Sequence, residues 1–231
     1  MNKLPKIAIV VPAAGVGSRM QLSHPKQYLK IEDKTVLEHT LNKMMRVPNV
    51  CVIAVAVSDS DTVFDKLAFC SEKLIRTSGG KERAESVLNA LDALLEYKPD
   101  WVLVHDAARP LVDVTDIENL ISHCLEAQQG GILAAKVKDT IKRGSSHSSG
   151  TVPRDDLWQA LTPQMFPFMT LRSALSCALQ QGVTITDEAS AMEWQQQPVQ
   201  LIPGRTDNIK ITTPEDYDLA CFLISKQHKR V

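Results

Sequence analysis

The 231 residues suffice for one large domain or two small ones, at roughly 100 to 200 residues per domain, and need no disulfide or metal staple to build a core. Hydrophobic residues make up 44% and charged residues 23%, which excludes a disordered, collagenous or coiled-coil chain. Twenty-six basic against twenty-seven acidic residues leave a net charge of -1, so no global basic field exists to hold nucleic acid or an anionic membrane, and any phosphate binding has to be local.

The first apolar β-branched run is Ile7 to Val11. Lys3 and Lys6 before it imitate a signal peptide, but its Ala-rich end turns straight into a Gly-rich loop, which argues against secretion. Further strand-like runs are Cys51 to Val57 and Trp101 to Val104, and continuous apolar runs of this kind imply strands buried on both faces. The longest apolar stretches, Ile7 to Ala14 and Cys51 to Val57, fall far short of the roughly 20 residues a membrane helix needs. Between the strands, Leu37, Leu41, Met44 and Met45 share one helical face. So do Val87, Leu88, Leu91, Leu94 and Leu95, and so do Ile117, Leu120, Ile121 and Cys124. Alternating strand and helix predicts a doubly wound α/β fold with a mostly parallel sheet, because parallel strands require crossover connections.

After Gly130 and Gly131 comes another apolar strand, Ile132 to Val137, and then the rhythm changes. Lys136, Lys138, Lys142 and Arg143 alternate with Val137, Asp139 and Ile141, the period of a hairpin with one polar face. With its tip at Gly144 to Gly150, this reads as an arm spanning about residues 136–155 and projecting from a single domain of residues 1–231; a surface loop is the plainer reading. Helical period returns from Thr170 through Leu171, Ala174, Leu175 and Ala178. A strand is predicted at Val183 to Ile185, a helix from near Asp187, and short strands at Val199 to Ile202 and Ile209 to Ile211. Pro214, Glu215 and Asp216 then open a C-terminal helix. Five scattered cysteines, Cys51, Cys70, Cys124, Cys177 and Cys221, never spaced Cys-x-x-Cys, point to a reducing cytoplasm without structural zinc.

Chemistry concentrates where predicted strands end. Val11-Pro12-Ala13-Ala14-Gly15-Val16-Gly17-Ser18-Arg19-Met20 follows the first strand, and its small residues let backbone N–H groups approach a phosphate. Met20 replaces the third glycine of a dinucleotide loop and the Lys-Ser/Thr ending of a P-loop is missing, which argues against a dehydrogenase or an ordinary NTPase. Arg19 and Lys26 stand ready to reach the same polyphosphate; a tight turn with two surface cations is the bland alternative. His105-Asp106-Ala107-Ala108-Arg109-Pro110 follows the Trp101 strand, again at a carboxyl end where open α/β sheets bind ligands. Asp106 there could hold a metal, orient a hydroxyl or merely cap a helix; His105 reads as structural. Gly79-Gly80-Lys81-Glu82-Arg83-Ala84-Glu85-Ser86 reads as a base or sugar cradle or as a strand-to-helix turn, while Thr162-Pro163-Gln164 and Thr186-Asp187-Glu188 read as turn or cap signals. Lys210 between Ile209 and Ile211 needs a partner, which a phosphate would supply.

In order, Ala-Ala-Gly-x-Gly-x-Arg-Met, Pro-Lys-Gln, Gly-Gly-x-x-Arg-x-x-Ser, Val-His-Asp-Ala-Ala-Arg-Pro, Thr-Pro-Gln, Thr-Asp-Glu and Asp-Asn-Ile-Lys-Ile-Thr resemble the methylerythritol phosphate cytidylyltransferases of the non-mevalonate isoprenoid pathway. The likeness runs from Ile7 to about Leu219, and the lack of a following cyclodiphosphate synthase segment matches the monofunctional form. It implies a Rossmann-like nucleotidyltransferase that moves a cytidylyl group from CTP to methylerythritol 4-phosphate and releases pyrophosphate. Ribitol 5-phosphate is the alternative acceptor. By the same resemblance, Pro12, Ala13, Ala14, Gly15 and Gly17 wrap the triphosphate, Gly80 and Ser86 line the cytosine pocket, and Ala107 lies near the ribose. Arg19, Lys26 and Lys210 match catalytic cations; Asp106, Arg109, Thr162 and Thr186 match positions around the substrate. Thr140 and Arg154 match arm residues donated to a neighbouring subunit, which implies a homodimer. Lys81 departs from the acidic residue common at its position.

The residues suit that chemistry on their own terms. Attack of one phosphate on another is opposed by charge repulsion, so positioning and neutralisation must supply most of the catalysis. An ionised nucleophile needs no general base, and Mg²⁺ is expected mainly on the CTP phosphates, with several waters retained and no dedicated protein metal site.

Overall fold

Five consecutive residues of β1 (Ile7–Pro12), from Ile7 through Val11, are buried, because both faces of the strand are covered. Ile7, Ile9 and Val11 face Leu37, Leu41 and Met44 of α1 (Val36–Met44) and Ile117, Leu120 and Cys124 of α3 (Val114–Ala127). Ala8 and Val10 face Val87 and Leu91 of α2 (Arg83–Ala93) and Leu171 and Leu175 of α4 (Phe168–Gln180). The period-two alternation of a strand thus feeds two separate helical layers. The computed structural model describes residues 4–15, 25–67, 69 and 71–228.

The remaining strands are β2 (Lys30–Ile31), β3 (Lys34–Thr35), β4 (Val50–Val57), β5 (Leu74–Ser78), β6 (Trp101–Val104), β7 (Gly131–Lys136), β8 (Ile141–Gly144), β9 (Ser148–Val152), β10 (Trp158–Pro167) and β11 (Gln200–Pro203). Among the described residues the main sheet has seven strands in the order β11-β7-β10-β6-β1-β4-β5. All pair in parallel except β10, which runs antiparallel to both β6 and β7. The doubly wound, mostly parallel α/β expectation therefore holds. From β1 the chain steps outward to β4 and β5, then returns to the other side of β1 as β6. Such a reversal opens a crevice at the carboxyl ends of the two inner strands.

Helix starts follow their local chemistry. The Thr35 side chain accepts the Glu38 N–H at 3.2 Å while the Glu38 carboxylate accepts the Thr35 N–H at 2.7 Å, a reciprocal capping box on α1. Asp187 caps α5 (Glu188–Trp194) by accepting the Ser190 N–H at 2.9 Å. The C-terminal helix α6 (Pro214–His228) buries Ala220 and Ile224 against Ile31, Val36, Leu111 and Ile211, a third core that closes the same end of the sheet.

Two predicted strands are not strands. Val183–Ile185 follows the turn at Gly182, where φ is +67°, and has no ladder partner, although Ile185 still packs against the α2–α4 layer. Ile209–Ile211 is irregular: its Ile211 N–H donates a single bond, 2.9 Å, to the Ala108 carbonyl. Two strands of the main sheet escape the sequence pattern, as does the short β2–β3 pair: β5 is a short, half-polar edge, and β10 interrupts its apolar run with Gln159, Thr162, Pro163 and Gln164.

The lysine-rich segment forms the two-stranded β8–β9 hairpin, separate from the main sheet and largely exposed. Its ladder begins at Ile141 and pairs Gly144 with Ser148, so residues 137–140 are not strand and the tip is tighter than predicted.

Candidate active site

The ends of β1, β5 and β6 and the segment before α6 converge on a cavity of about 370 Å³. Its walls include Pro12, Ala13, Ala14 and Gly15 after β1, Gly80 and Lys81 after β5, Asp106 and Ala107 after β6, and Lys26 and Lys210. One close approach shapes it. A Cβ on Gly79 would come within 2.2 Å of the Ala14 Cβ, so only glycine lets the β5 turn touch the β1 loop. A Cβ on Gly15 would meet open space; the small residue there leaves room rather than relieving a clash. Gln27, buried, donates to the Ala13 carbonyl at 2.6 Å and pins the loop's start.

Sequence reasoning left Gln27 out of the site. It gave Ser86 a role in the base pocket, and the structure shows its hydroxyl already engaged, accepting the Gly80 N–H at 2.9 Å and donating to the Glu82 carbonyl at 3.0 Å. Ser86 therefore sets the shape of the Gly80 turn. Lys26 donates to the Ile211 carbonyl at 2.7 Å, which fixes its ammonium at the cavity edge. Arg19 and Gly17 lie outside the described residues.

A second cavity, about 270 Å³, adjoins the first and shares Arg83, Asp106 and Lys210 with it. Its other walls include Arg109, Thr162, Gln164 and Thr186. At the partition, Asp106 Oδ1 takes the Arg83 Nε–H at 2.9 Å. Its Oδ2 lies 2.9 Å from Lys210 Nζ and 3.5 Å from Arg109 Nε, the latter an ion pair too long for a hydrogen bond. Burial alone would raise the Asp106 carboxyl, but the charges of Arg83 and Lys210 outweigh it and hold the group far below the ordinary carboxylate range. Asp106 is thus a permanent anion facing three cations. Lys210, expected to need a phosphate, has this carboxylate as its partner while its side chain stays 38% exposed.

Behind Asp106 the fit is tight. His105 is fully buried, and burial pushes its imidazole down to about 4. Its Nε2 lies 3.0 Å from the Arg109 carbonyl, which can only accept, so Nε2 carries the proton. Nδ1 then accepts from the Thr162 hydroxyl at 3.0 Å, and that oxygen accepts the Asp106 N–H at 3.1 Å. The structural reading of His105 is correct. Arg109 also donates to the Asn208 carbonyl at 2.6 Å, and Asn208 donates to the Thr162 carbonyl at 2.8 Å. Two residues absent from the sequence-based site complete the cluster: Arg83, and Glu188, whose carboxylate receives both terminal nitrogens of Arg83. The arginine of Gly-Gly-x-x-Arg and the glutamate of Thr-Asp-Glu were the available signals.

Thr140 and Arg154 join neither cavity. Both are exposed at the base of the β8–β9 hairpin, where Arg154 donates to the Lys138 carbonyl. Among the described residues no group of three His, Cys, Asp or Glu side chains converges in a metal-binding arrangement.

The family model described as "IspD: 2-C-methyl-D-erythritol 4-phosphate cytidylyltransferase" matches residues 7–226. The chain belongs to this family. A 2-C-methyl-D-erythritol 4-phosphate cytidylyltransferase of Pseudoalteromonas translucida (strain TAC 125) is 60% identical over 227 residues, covering 98% of this chain and 94% of the relative. That of Vibrio atlanticus (strain LGP32) is 55% identical, covering 97% and 98%. Among solved structures, a 4-diphosphocytidyl-2C-methyl-D-erythritol synthase superposes with a TM-score of 0.83 at 39% identity, covering 96% of this chain and all of the other. The Francisella tularensis 2-C-methyl-D-erythritol 4-phosphate cytidylyltransferase gives 0.83 at 34% identity over 94% and 99%. The resemblance read from the motifs is therefore the family, and the chain is an α/β nucleotidyltransferase.

Proposed function

We propose that this chain transfers a cytidylyl group from CTP to 2-C-methyl-D-erythritol 4-phosphate, with release of pyrophosphate. The observation that carries the reading is the pair of adjoining cavities sharing one charged wall of Arg83, Asp106 and Lys210, in a member of this family. The larger cavity takes the nucleotide. Pro12, Ala13, Ala14, Gly15 and Gly17 cradle the triphosphate, Gly80 and the turn held by Ser86 face the base, and Ala107 faces the ribose. The smaller takes the polyol phosphate, through Asp106, Arg109, Thr162 and Thr186.

In the reaction an oxygen of the acceptor phosphate bonds to the α-phosphorus of CTP, and the bond from that phosphorus to the bridging oxygen breaks. The electron pair leaves with pyrophosphate. No proton need be removed from the nucleophile, so this chain's work is to align two anions and neutralise the charge between them. Arg19 and Lys26 serve the triphosphate, and Lys210 at the partition serves both sides. Both oxygens of Asp106 are already engaged by cations, which favours a magnesium ion held by the nucleotide's phosphates and water rather than by this carboxylate. Such an ion, when bound, supplies further charge neutralisation.

Thr140 and Arg154 are read as reaching the acceptor site of a second copy through the β8–β9 arm, which makes the working unit a homodimer. Their exposure away from both cavities of their own chain supports this. Free Cys51, Cys124, Cys177 and Cys221 favour a reducing cytoplasm, and among the described residues no helix is long and apolar enough to cross a membrane.

The test is product identity. Incubation with CTP, Mg²⁺ and methylerythritol 4-phosphate should give a product with the two phosphorus resonances of a diphosphate diester and the mass of a diphosphocytidyl polyol. Recovery of unreacted CTP, or of CMP and the free acceptor, would contradict the proposal.

A further inference from the structure

Arg83 opens α2 and Glu188 opens α5, two residues 105 positions apart in the chain. The arginine donates from Nη1 to Glu188 Oε1 at 2.6 Å and from Nη2 to Oε2 at 3.0 Å, the parallel fork of a bidentate pair. Its third donor, Nε, goes to Asp106 Oδ1 at 2.9 Å. All three contacts leave the guanidinium no freedom to turn. Glu188 is fully buried, and its helix is itself docked: Gln164 accepts the Ala189 N–H at 2.9 Å and donates to the Asp187 carboxylate at 2.8 Å. A buried carboxylate that only stabilised the fold would be a poor investment, since a well-packed apolar pair is often as stable. This one instead fixes the orientation of the carboxylate that partners Lys210 at the partition between the cavities.

We infer that Arg83 and Glu188 form a positioning pair that sets where the Asp106 carboxylate and, through it, the Lys210 ammonium stand between nucleotide and acceptor. The inference rests on the reading given under Proposed function and adds two residues to it. Glu188 acts through Arg83, and Arg83 acts through Asp106. Because the turn that carries Gly80 is held separately by Ser86 and Glu85, loss of the pair leaves that base-facing turn in place and acts on the partition of Arg83, Asp106 and Lys210, where the acceptor has most of its polar contacts.

The decisive variant is Glu188→Gln, which keeps the shape but turns one acceptor of the fork into a donor facing an arginine N–H. Displacement of reacting groups on the ångström scale costs about 10²-fold, so kcat/KM for the acceptor phosphate should fall by about that factor, with CTP affinity by calorimetry falling far less. Arg83→Lys keeps the charge but loses the planar fork that meets Glu188 while Nε holds Asp106, and should show the same split. Glu188→Asp, retaining the charge, should recover part of the loss. Should Glu188→Gln fail to fold, the neutral double variant Arg83→Met with Glu188→Leu removes the buried imbalance and carries the same expectation. A folded variant with normal kcat/KM, or one losing CTP affinity in proportion to turnover, would overturn the inference. The unmutated chain, assayed alongside, separates the two ideas. Absence of transfer by it defeats the proposed function, whereas transfer by it together with normal Glu188→Gln kinetics defeats only the positioning role.

Discussion

The Thr162 hydroxyl donates to His105 Nδ1 at 3.0 Å and its oxygen accepts the Asp106 N–H at 3.1 Å, so one threonine on an antiparallel strand fixes the backbone of the acidic loop after β6. The chain of bonds runs in a single direction only if the imidazole is neutral. A proton on Nδ1 would turn the Thr162 oxygen into an acceptor on both sides and take away the partner of its own hydroxyl proton.

This gives the first prediction. The folded His105 imidazole titrates at about 4, below its ordinary 6.5, because burial penalises its charged form. Above pH 6.5 neither folded nor unfolded chain is protonated there, and the stability is fully present. As pH falls from 6.5 to 4 the unfolded state binds the proton first, so stability is lost across that window, by about 3 kcal/mol in total. A further loss begins below about pH 4 as Asp106, depressed in the folded state by Arg83 and Lys210, draws protons in the unfolded state. Urea unfolding between pH 7 and 4.5 should show the first slope, and His105→Gln should flatten it; an unchanged slope in the variant would refute the assignment.

Lys26 stands at the rim of the larger cavity with its ammonium anchored on the Ile211 carbonyl. Lys26→Ala should lower kcat by about 10²-fold, the usual cost of one donor to developing charge, with an unchanged unfolding midpoint. Arg19→Ala is predicted to behave alike. Turnover at the parent rate in either variant would remove that residue from the mechanism.

The arm gives a prediction that one chain alone cannot satisfy. Arg154→Ala should raise the KM for the acceptor phosphate while leaving CTP affinity intact. Mixing it with Lys26→Ala should restore activity, because a hybrid dimer holds one site with both residues: about a quarter of all sites under random exchange. No recovery on mixing, with subunit exchange verified, would contradict the shared site.

Gly79 faces Ala14 too closely for any side chain: a Cβ there would lie 2.2 Å from the Ala14 Cβ. Gly79→Ala should push the β1 loop outward, costing about 1–3 kcal/mol by overpacking and raising the KM for CTP. Chemical denaturation and a CTP titration check both effects, and a variant with parent values in both would show that the two turns have room to part.

Much of this was legible in the sequence. The buried strands β1, β4 and β6 announced themselves because strands covered on both faces carry unbroken apolar runs, and the amphipathic faces of α1, α2 and α3 named the layers. β10 stayed hidden because an antiparallel strand that supplies Thr162 and Gln164 to the site must break its apolar pattern to do so. Lys210 stands out in the sequence from its apolar neighbours and lines both cavities, but its segment has one backbone bond to Ala108 where a strand would need a ladder. Arg83 and Glu188 were passed over for a physical reason: 105 residues apart, each looks like an ordinary charge at a helix start, and only the fold shows that they meet.

Acceptor identity decides between the two polyol phosphates. Pyrophosphate release should be followed with CTP and Mg²⁺, offering methylerythritol 4-phosphate and ribitol 5-phosphate in parallel. Release with the former alone is predicted; release with ribitol 5-phosphate alone, or with neither, would rule out methylerythritol 4-phosphate as the acceptor.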